Sequence, residues 1–589
     1  MSERAGLRIG VYICRCGGNI SDVIDVERVA DEARRLPGVT VARVHTFMCS
    51  DPGQQAIQDD IREQHLDRVV VASCSPSLHE LTFREAVARG GLNPYLYEHV
   101  NIREQGSWAH QHDPEGATAK AVRMIAAAVG KLRHARPLEP VRLPNERRAL
   151  VIGGGIAAMR AAADLAAQGL PVVLVEKTAR LGGALNDFGR VFTSERPARE
   201  LVRELESQLR DDPHIEVLTE AQVRGVAGSI GNFQVTIEGA FGPGGEATRT
   251  EVTVGAIIVA TGFAPYTPAE GEYGYAQHPA VLTMPQFVQV MENLPAEAQE
   301  LLLGGHAVQS VAFLHCVGSR QSDSSTPRLF DSSKMPNEYC SRVCCTTTLQ
   351  QALHLKQRFP KVEVFDLHRD IRTYGRGHED YYLEASRAGV LFFRYHGEEP
   401  PTVEAEGPSL RLRVRDWLTW GEELELRPDL LVLAVGMEPA DIADLIGLLK
   451  LPVGDDGFLQ EVHPKLRPVE VSVSGVLLAG TAQGPMNIAE SLRAASAAAS
   501  KASALLSRDV VEVNPYVVEV DPARCGGAGA CIAECEYGAL RLVDGKVEVN
   551  PGLCAGCGAC VAVCPNRALD LKGWRLDQYE AMVKAIAGG

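Results

Sequence analysis

The chain has no excess of positive charge. Its 59 lysines and arginines are outnumbered by 75 acidic residues, leaving a formal charge of −16 over 589 residues. With no basic stripe to offset that balance, a nucleic-acid backbone is excluded as a natural partner, and the charge favours a dissolved protein. There is also no run of about 18 apolar residues that could span a bilayer, so no transmembrane segment is expected. The first 20 residues lack the basic, apolar, small-residue order of a secretion signal. A cytoplasmic protein of about three to five domains, at ~150 residues each, is the expectation.

Cysteine, by contrast, is plentiful. The fifteen fall into three groups: Cys14, Cys16, Cys49 and Cys74; Cys316, Cys340, Cys344 and Cys345; and seven between Cys525 and Cys564. A chain of this size needs no disulfide framework, and clustered cysteines in a reducing compartment point to metal or redox chemistry. In residues 1–135 the apolar runs Leu7–Ile13, Val39–Phe47 and Val69–Ala72 alternate with helix-like stretches, which implies a parallel sheet. Cys14 and Cys16 follow the first run, Cys49 the second and Cys74 the third. Ligands of an open parallel sheet bind outside the carboxyl ends of its strands, so these four sulfurs are expected to meet on one [4Fe–4S] cluster. Buried, inert thiols are the alternative.

After a Pro- and Arg-rich linker at 136–148, Ala149–Ala158 reads as a strand running into G-x-G-x-x-A. Gly153 makes the turn, Gly155 admits a pyrophosphate, Ala158 permits close helix packing, and Glu176, followed by Lys177, ends the next strand near the ribose. Gly182 and Gly183, the strand ending in Ala260-Thr261-Gly262, and the stretch Gly480-Thr481-Ala482-Gln483 before an alanine-rich helix point to FAD. They give residues 149–508 a resemblance to the two-dinucleotide flavoproteins of the thioredoxin reductase type. A second glycine fingerprint for NAD(P)H is missing. In its place the stretch Ser310–Arg320 has Cys316 where the glycine-rich loop should begin, and Cys340, Cys344 and Cys345 open the next helix. The reading is an embedded [4Fe–4S] site that feeds flavin single electrons, with structural or disulfide cysteines as the alternative.

Residues 512–573 are expected to form a two-cluster ferredoxin-like α+β domain, followed by a tail at 574–589. Cys554, Cys557, Cys560 and Cys564-Pro565 make an intact C-x2-C-x2-C-x3-C-P run. The fourth cysteine of each run serves the other cluster, so Cys554, Cys557, Cys560 and Cys535 are expected to hold one [4Fe–4S] cluster. Cys525, Cys531 and Cys564 hold the other, with Ala528 where a fourth ligand would stand. That centre is read as [3Fe–4S] or a site-differentiated [4Fe–4S]; zinc, which prefers paired C-x2-C units, is the rival.

The strings Tyr12–Ile20, Cys74-Ser75-Pro76, Asn101–Gln105, His315–Arg320, Tyr339–Cys345 and Gly480–Pro485 resemble the A subunit of heterodisulfide reductase along nearly the whole chain. The resemblance implies an α/β electron-transfer hub centred on FAD. It would be dimeric within a larger complex of thiol/disulfide-reducing B and C subunits and a hydrogenase, formate dehydrogenase or other input module. Some relatives bifurcate electrons and reduce ferredoxin. Three departures stand out. No cysteine occurs in Phe188–Val254, where longer members carry an inserted ferredoxin domain; Ala528 replaces a ligand; and Gln350 stands where bifurcating members have a lysine near the flavin. Gln350 is therefore the candidate catalytic position. A free-standing NAD(P)H-dependent flavoprotein and a non-catalytic electron conduit are the competing readings.

Overall fold

The structure is a computed structural model that describes residues 6–240, 247–295, 297–321, 336–407 and 409–587. It divides into two compact units, one of residues 1–143 with 512–589 and one of residues 144–511.

The first unit begins with strands β1 (Ile9–Cys14), β2 (Val39–His45), β3 (Arg68–Ser73) and β4 (Tyr97–Asn101), joined by helices α1 (Val26–Arg34), α2 (Asp51–Glu63) and α3 (Pro76–Arg89) and followed by α4 (Pro114–Arg133). All strand pairs are parallel, in the order β2-β1-β3-β4. The β-branched central strands β1 and β3 are buried at every position, as strands covered by helices on both faces must be. Three strands fall on the expected apolar runs. The fourth, Tyr-Glu-His-Val-Asn, carries no such run, and pairing with β3 is what makes it a strand.

The second unit holds two parallel sheets. The first comprises β5 (Ala149–Ile152), β6 (Val172–Val175), β7 (Ile215–Leu218), β8 (Ala256–Val259) and a late strand, Val476–Leu478, next to β8. Helix α5 (Ile156–Ala166) packs on it, its alanines at 157, 158, 161 and 162 buried. The second sheet carries β9 (Val281–Thr283), β10 (Ser310–Val317), β11 (Glu363–His368), β12 (Val390–Arg394) and β13 (Leu430–Val435), in the order β9-β13-β10-β11-β12. Helix α6 (Met284–Asn293) follows β9, α7 (Cys344–Arg358) follows β10, and α8 (His378–Arg387) precedes β12. With the late strand numbered β14, helix α9 (Ile488–Leu506) completes this unit.

The first unit resumes with β15 (Val518–Val520), β16 (Leu540–Val543), β17 (Lys546–Val549) and β18 (Leu569–Leu571), paired β15 with β18 and β16 with β17. The stretch expected to be a tail forms helix α10 (Leu576–Ala587). It lies along α4, where a side chain at Gly130 would stand 3.0 Å from the Ala581 carbonyl oxygen. Lys131 is buried there: its Nζ donates to both carboxylate oxygens of Glu98 at 3.0 and 2.8 Å and sits 3.0 Å from the centre of the Trp574 ring. Burial pushes the Glu98 carboxyl up and the Lys131 ammonium down, so each charge depends on the other. Lys131→Met strands the carboxylate and is expected to cost about 3 kcal/mol, most of it regained in Lys131→Met/Glu98→Gln. Chaotrope unfolding of the full-length variants checks this, the lowest transition shifting in the single variant and returning in the double.

Candidate functional site

A cavity of about 510 Å³ opens at the carboxyl edge of the first sheet of the 144–511 unit. Gly153, Gly155, Glu176, Lys177, Gly182, Gly183, Ala260, Thr261, Gly262, Thr481 and Gln350 line it. A second cavity of about 310 Å³ shares Gly153, Glu176, Lys177 and Thr261 with it, so the space runs on past the end of β6. Gly153 has φ +118°, and a side chain there would meet the Ala260 carbonyl oxygen at 2.3 Å, which is why the turn needs glycine. Glu176 is buried and accepts both the N–H and the hydroxyl of Thr178 at 2.7 Å.

Four residues expected at the cofactor do not line the space. Ala158 is wholly buried in the core, as its packing role requires. Gly480 approaches α5 so closely that a side chain would meet Ala157. Ala482 is in the core, and the Gln483 amide donates to the Pro468 carbonyl. The cavity wall also includes residues that no motif signalled: Phe188, Arg190 and Phe192 from the segment after Gly183, Met284 and Val288 of α6, and Asn487 before α9. The Thr261 hydroxyl is buried without a partner among the described residues, a polar atom in a lining that a dinucleotide would complete.

The second cysteine quartet abuts this cavity. Cys316 lies inside β10 and not in the loop after it: the register with β13 breaks between Leu314 and Val317, and Cys316 takes φ +62°. Such a bulge re-aims a side chain without ending the strand. Helix α7 starts at Cys344, so Cys340 sits in the turn before it, its sulfur accepting the Arg342 N–H at 3.3 Å. Cys316, Cys340 and Cys345 are the charged neighbours of Cys344, whose thiol burial pushes far up. Burial also opposes ionisation of Cys345, but the adjacent His315 outweighs it and holds that thiol down. His315 in turn bonds Asp366 at 2.9 Å, and Asp366 bonds His368 at 3.0 Å, a buried row that the sequence did not announce.

In the first unit the N-terminal quartet gathers where the sheet order reverses, between β1 and β3. The Cys14 sulfur accepts the N–H groups of Cys16 and Met48 at 3.3 and 3.4 Å. Burial raises the Cys14 and Cys49 thiols and pushes Cys74 up to about 11, an environment in which a bare thiolate is unstable and a metal-bound one is not. Arg103, which follows β4, donates to the Cys16 sulfur at 3.2 Å and stacks on Trp108. It brings a positive charge to the edge of the sheet where the four sulfurs gather.

The C-terminal loops repeat each other. The N–H of Val518 meets the Cys554 sulfur at 3.4 Å and that of Val547 meets Cys525 at 3.5 Å; Ala539 meets Cys535 and Ala568 meets Cys564, both at 3.3 Å. Cys554, Cys557 and Cys535 are the foremost charged neighbours of Cys560, which burial pushes up to about 11. Cys531 instead has Cys564 and Cys525, and these three line a small cavity with Ala528. Among the described residues no group of three or more His, Cys, Asp or Glu is arranged to hold a metal ion.

Residues 147–303 match the pyridine nucleotide-disulphide oxidoreductase family and residues 517–565 a 4Fe-4S dicluster domain. The A subunit of the H(2):CoB-CoM heterodisulfide,ferredoxin reductase of Methanothermobacter thermautotrophicus is 37% identical over 657 residues, covering 98% of this chain and 97% of the relative. One of the CoB–CoM heterodisulfide reductase iron-sulfur A subunits of Methanopyrus kandleri is 36% identical over 618 residues, 92% of each chain. This chain belongs to the family of heterodisulfide reductase A subunits. As a member it is an oxidoreductase subunit that carries FAD and iron–sulfur clusters. The 657-residue alignment is longer than the chain itself, so the Methanothermobacter relative contains sequence that this heterodisulfide reductase family member lacks. Among solved structures, Lactococcus lactis thioredoxin reductase covers 62% of this chain with 99% of its own, at 16% identity and a TM-score of 0.41. No helix is long and apolar enough to cross a membrane among the described residues.

Proposed function

We propose that the chain passes electrons between partner subunits of a heterodisulfide reductase-like complex, using the cavity of the 144–511 unit as the point where paired and single electrons interconvert. Helix α7 carries this reading. Its first turn bears Cys344 and Cys345, while Thr346, Thr347 and Gln350 of the same helix line the cavity. FAD supplies exchange between two-electron and one-electron chemistry, and clusters exchange electrons singly.

Gly153 and Gly155 would hold the pyrophosphate at the start of α5, with Glu176 and Lys177 toward the ribose and Gly182, Gly183, Ala260, Thr261, Gly262 and Thr481 around the remainder. Gly480, Ala482 and Gln483 would support that wall from behind. Cys14, Cys16, Cys49 and Cys74 would ligate one [4Fe–4S] cluster, Cys316, Cys340, Cys344 and Cys345 a second, and Cys535, Cys554, Cys557 and Cys560 a third. Cys525, Cys531 and Cys564 would hold a [3Fe–4S] or site-differentiated centre. The relatives are named for H2, formate, CoB-CoM heterodisulfide and ferredoxin. B and C subunits with a hydrogenase or formate dehydrogenase module are accordingly the proposed partners, in a dimeric complex in the cytoplasm. A free-standing NAD(P)H oxidoreductase is disfavoured because the end of β10 reads Cys316-Val317-Gly318-Ser319-Arg320 instead of a second glycine fingerprint.

Cys344→Ala tests the reading. The variant is expected to keep FAD, lose the iron of one cluster, and slow flavin reduction by a one-electron donor at least about a hundredfold, ~2.7 kcal/mol on the barrier. Stopped-flow absorbance measures it. An unchanged rate would remove the quartet from the route, and rapid bleaching of wild-type flavin by NADPH would favour the free-standing enzyme instead.

A further inference from the structure

Gln350 is 5% exposed, and its amide nitrogen donates to Glu195 Oε1 at 2.9 Å. The Tyr381 hydroxyl of α8 donates to the same oxygen at 2.5 Å and lies 3.1 Å from the Thr193 carbonyl. Glu195 is held in place from its own side as well: its N–H donates to the Val191 carbonyl at 2.9 Å, its carbonyl accepts from Arg190 at 2.8 Å, and its φ is +55°. The Phe192 ring packs against Tyr381 and His378, with centres 4.4 and 4.9 Å apart. Segment 190–195 is thus fastened to α8 by Phe192, Thr193 and Glu195, and the Glu195 carboxylate alone ties it to both α7 and α8 through hydrogen bonds.

This arrangement fixes which end of the Gln350 amide faces the cavity. An ionised carboxylate only accepts hydrogen bonds, so Gln350 must turn its NH2 group toward Glu195. The Gln350 Oε1 atom, with no partner among the described residues, is then left to the cavity it lines. A glutamine free of such a partner could offer either end. Glu195 removes the choice, and adds a negative charge one hydrogen bond behind the wall.

We propose that Glu195, braced by Tyr381, is a positioning residue that makes Gln350 a fixed hydrogen-bond acceptor toward the bound flavin and keeps the flavin potential low. The proposal rests on the reading of this cavity as the flavin site. An acceptor backed by a carboxylate disfavours added negative charge nearby, which is what reduction of a flavin brings. Glu195→Gln takes away the charge and lets the Gln350 amide turn over.

Potentiometric titration of the full-length protein, followed by flavin absorbance, tests this alongside FAD affinity. Glu195→Gln is expected to bind FAD as tightly as wild type but to raise the reduced-to-oxidised ratio at a given potential about tenfold, a shift of about 30 mV for a two-electron couple. Tyr381→Phe should move it the same way by less, and provides the answer if Glu195→Gln does not fold. In a Gln350→Met background the effect of Glu195→Gln should be clearly smaller, because the amide no longer relays it and only the through-space charge of the carboxylate remains. Unchanged potentials with FAD bound normally would overturn the proposal and leave the flavin reading intact; so would effects of Glu195→Gln and Gln350→Met that simply add. A wild-type chain that binds no FAD would overturn the flavin reading and the proposal with it.

Discussion

Gly155→Leu is expected to abolish FAD binding while leaving the protein folded. Gly155 has φ −74° and ψ 179°, a backbone that any residue adopts, and a side chain there meets no atom within 4 Å. The room it would enter is the cavity itself, in the place where a pyrophosphate approaches the start of α5. Affinity should fall at least about a thousandfold, ~4 kcal/mol, by calorimetric titration of the apoprotein. Thermal unfolding of the two apoproteins should coincide, the comparison being made without FAD because a bound ligand stabilises on its own account. Gly153→Ala is the contrasting control. Its added methyl would lie 2.3 Å from a backbone oxygen at a positive φ, so it should weaken the fold before any question of ligand arises. Retention of FAD by Gly155→Leu would place the cofactor elsewhere.

The second large effect is expected from Ala528→Cys. The two loops of the ferredoxin-like module follow the same path: Gly527 and Gly556 have φ +72° and +69°, and Gly529 and Gly558 both have +77°. Ala528 stands between its glycines as Cys557 stands between the other pair. Gly527 cannot be otherwise, since a side chain would meet the Gly545 carbonyl oxygen at 2.5 Å. The loop is therefore already shaped to ligate, and the substitution adds a sulfur without moving backbone. Oxidised wild-type protein should show the paramagnetic signal of a three-iron core by EPR. Ala528→Cys should lose that signal, gain a fourth iron, and shift the midpoint potential of this centre down by about 100 mV or more, within the roughly 1 V span of such clusters. Cys531→Ala should lose both signal and iron. Oxidised wild type with no signal and no iron at this loop would mean that the trio binds no cluster.

What was legible beforehand was local. The run from Ala149 to Ala158, with Glu176 one strand later, announced its turn and helix because every part lies within 30 residues and each glycine has a steric reason. Cysteine spacing in the last 80 residues was equally local, and it falls in the segment that matches a 4Fe-4S dicluster domain. The partners of those residues were not. Arg103 reaches Cys16 across 87 positions, Glu195 reaches Gln350 across 155, and Tyr381 reaches Glu195 across 186. Each is an ordinary polar residue until the fold brings it to its partner. Strand β4 escaped for a related reason: its Glu98 and His99 look like surface residues until Lys131, Tyr97 and Ser73 take up their polar atoms. Helix α10 looked like a tail because its contact with α4 uses alanine and glycine, which carry little pattern.

The placement of the ferredoxin-like module gives the first unit two remote ends. The module meets the domain of residues 6–135 at Tyr95, before β4, and at Lys131, near the end of α4, whereas Cys14, Cys16, Cys49 and Cys74 follow the far ends of their strands. A six-residue strand spans roughly 20 Å, so the sheet itself stands between the N-terminal cysteines and the other seven. Its central strands bury Ile9, Val11, Ile13, Val69, Val70 and Val71, with the Tyr12 ring among them. The core that makes the domain stable is thereby also a spacer, and it keeps the N-terminal sulfurs and the C-terminal sulfurs at opposite ends of one packed sheet.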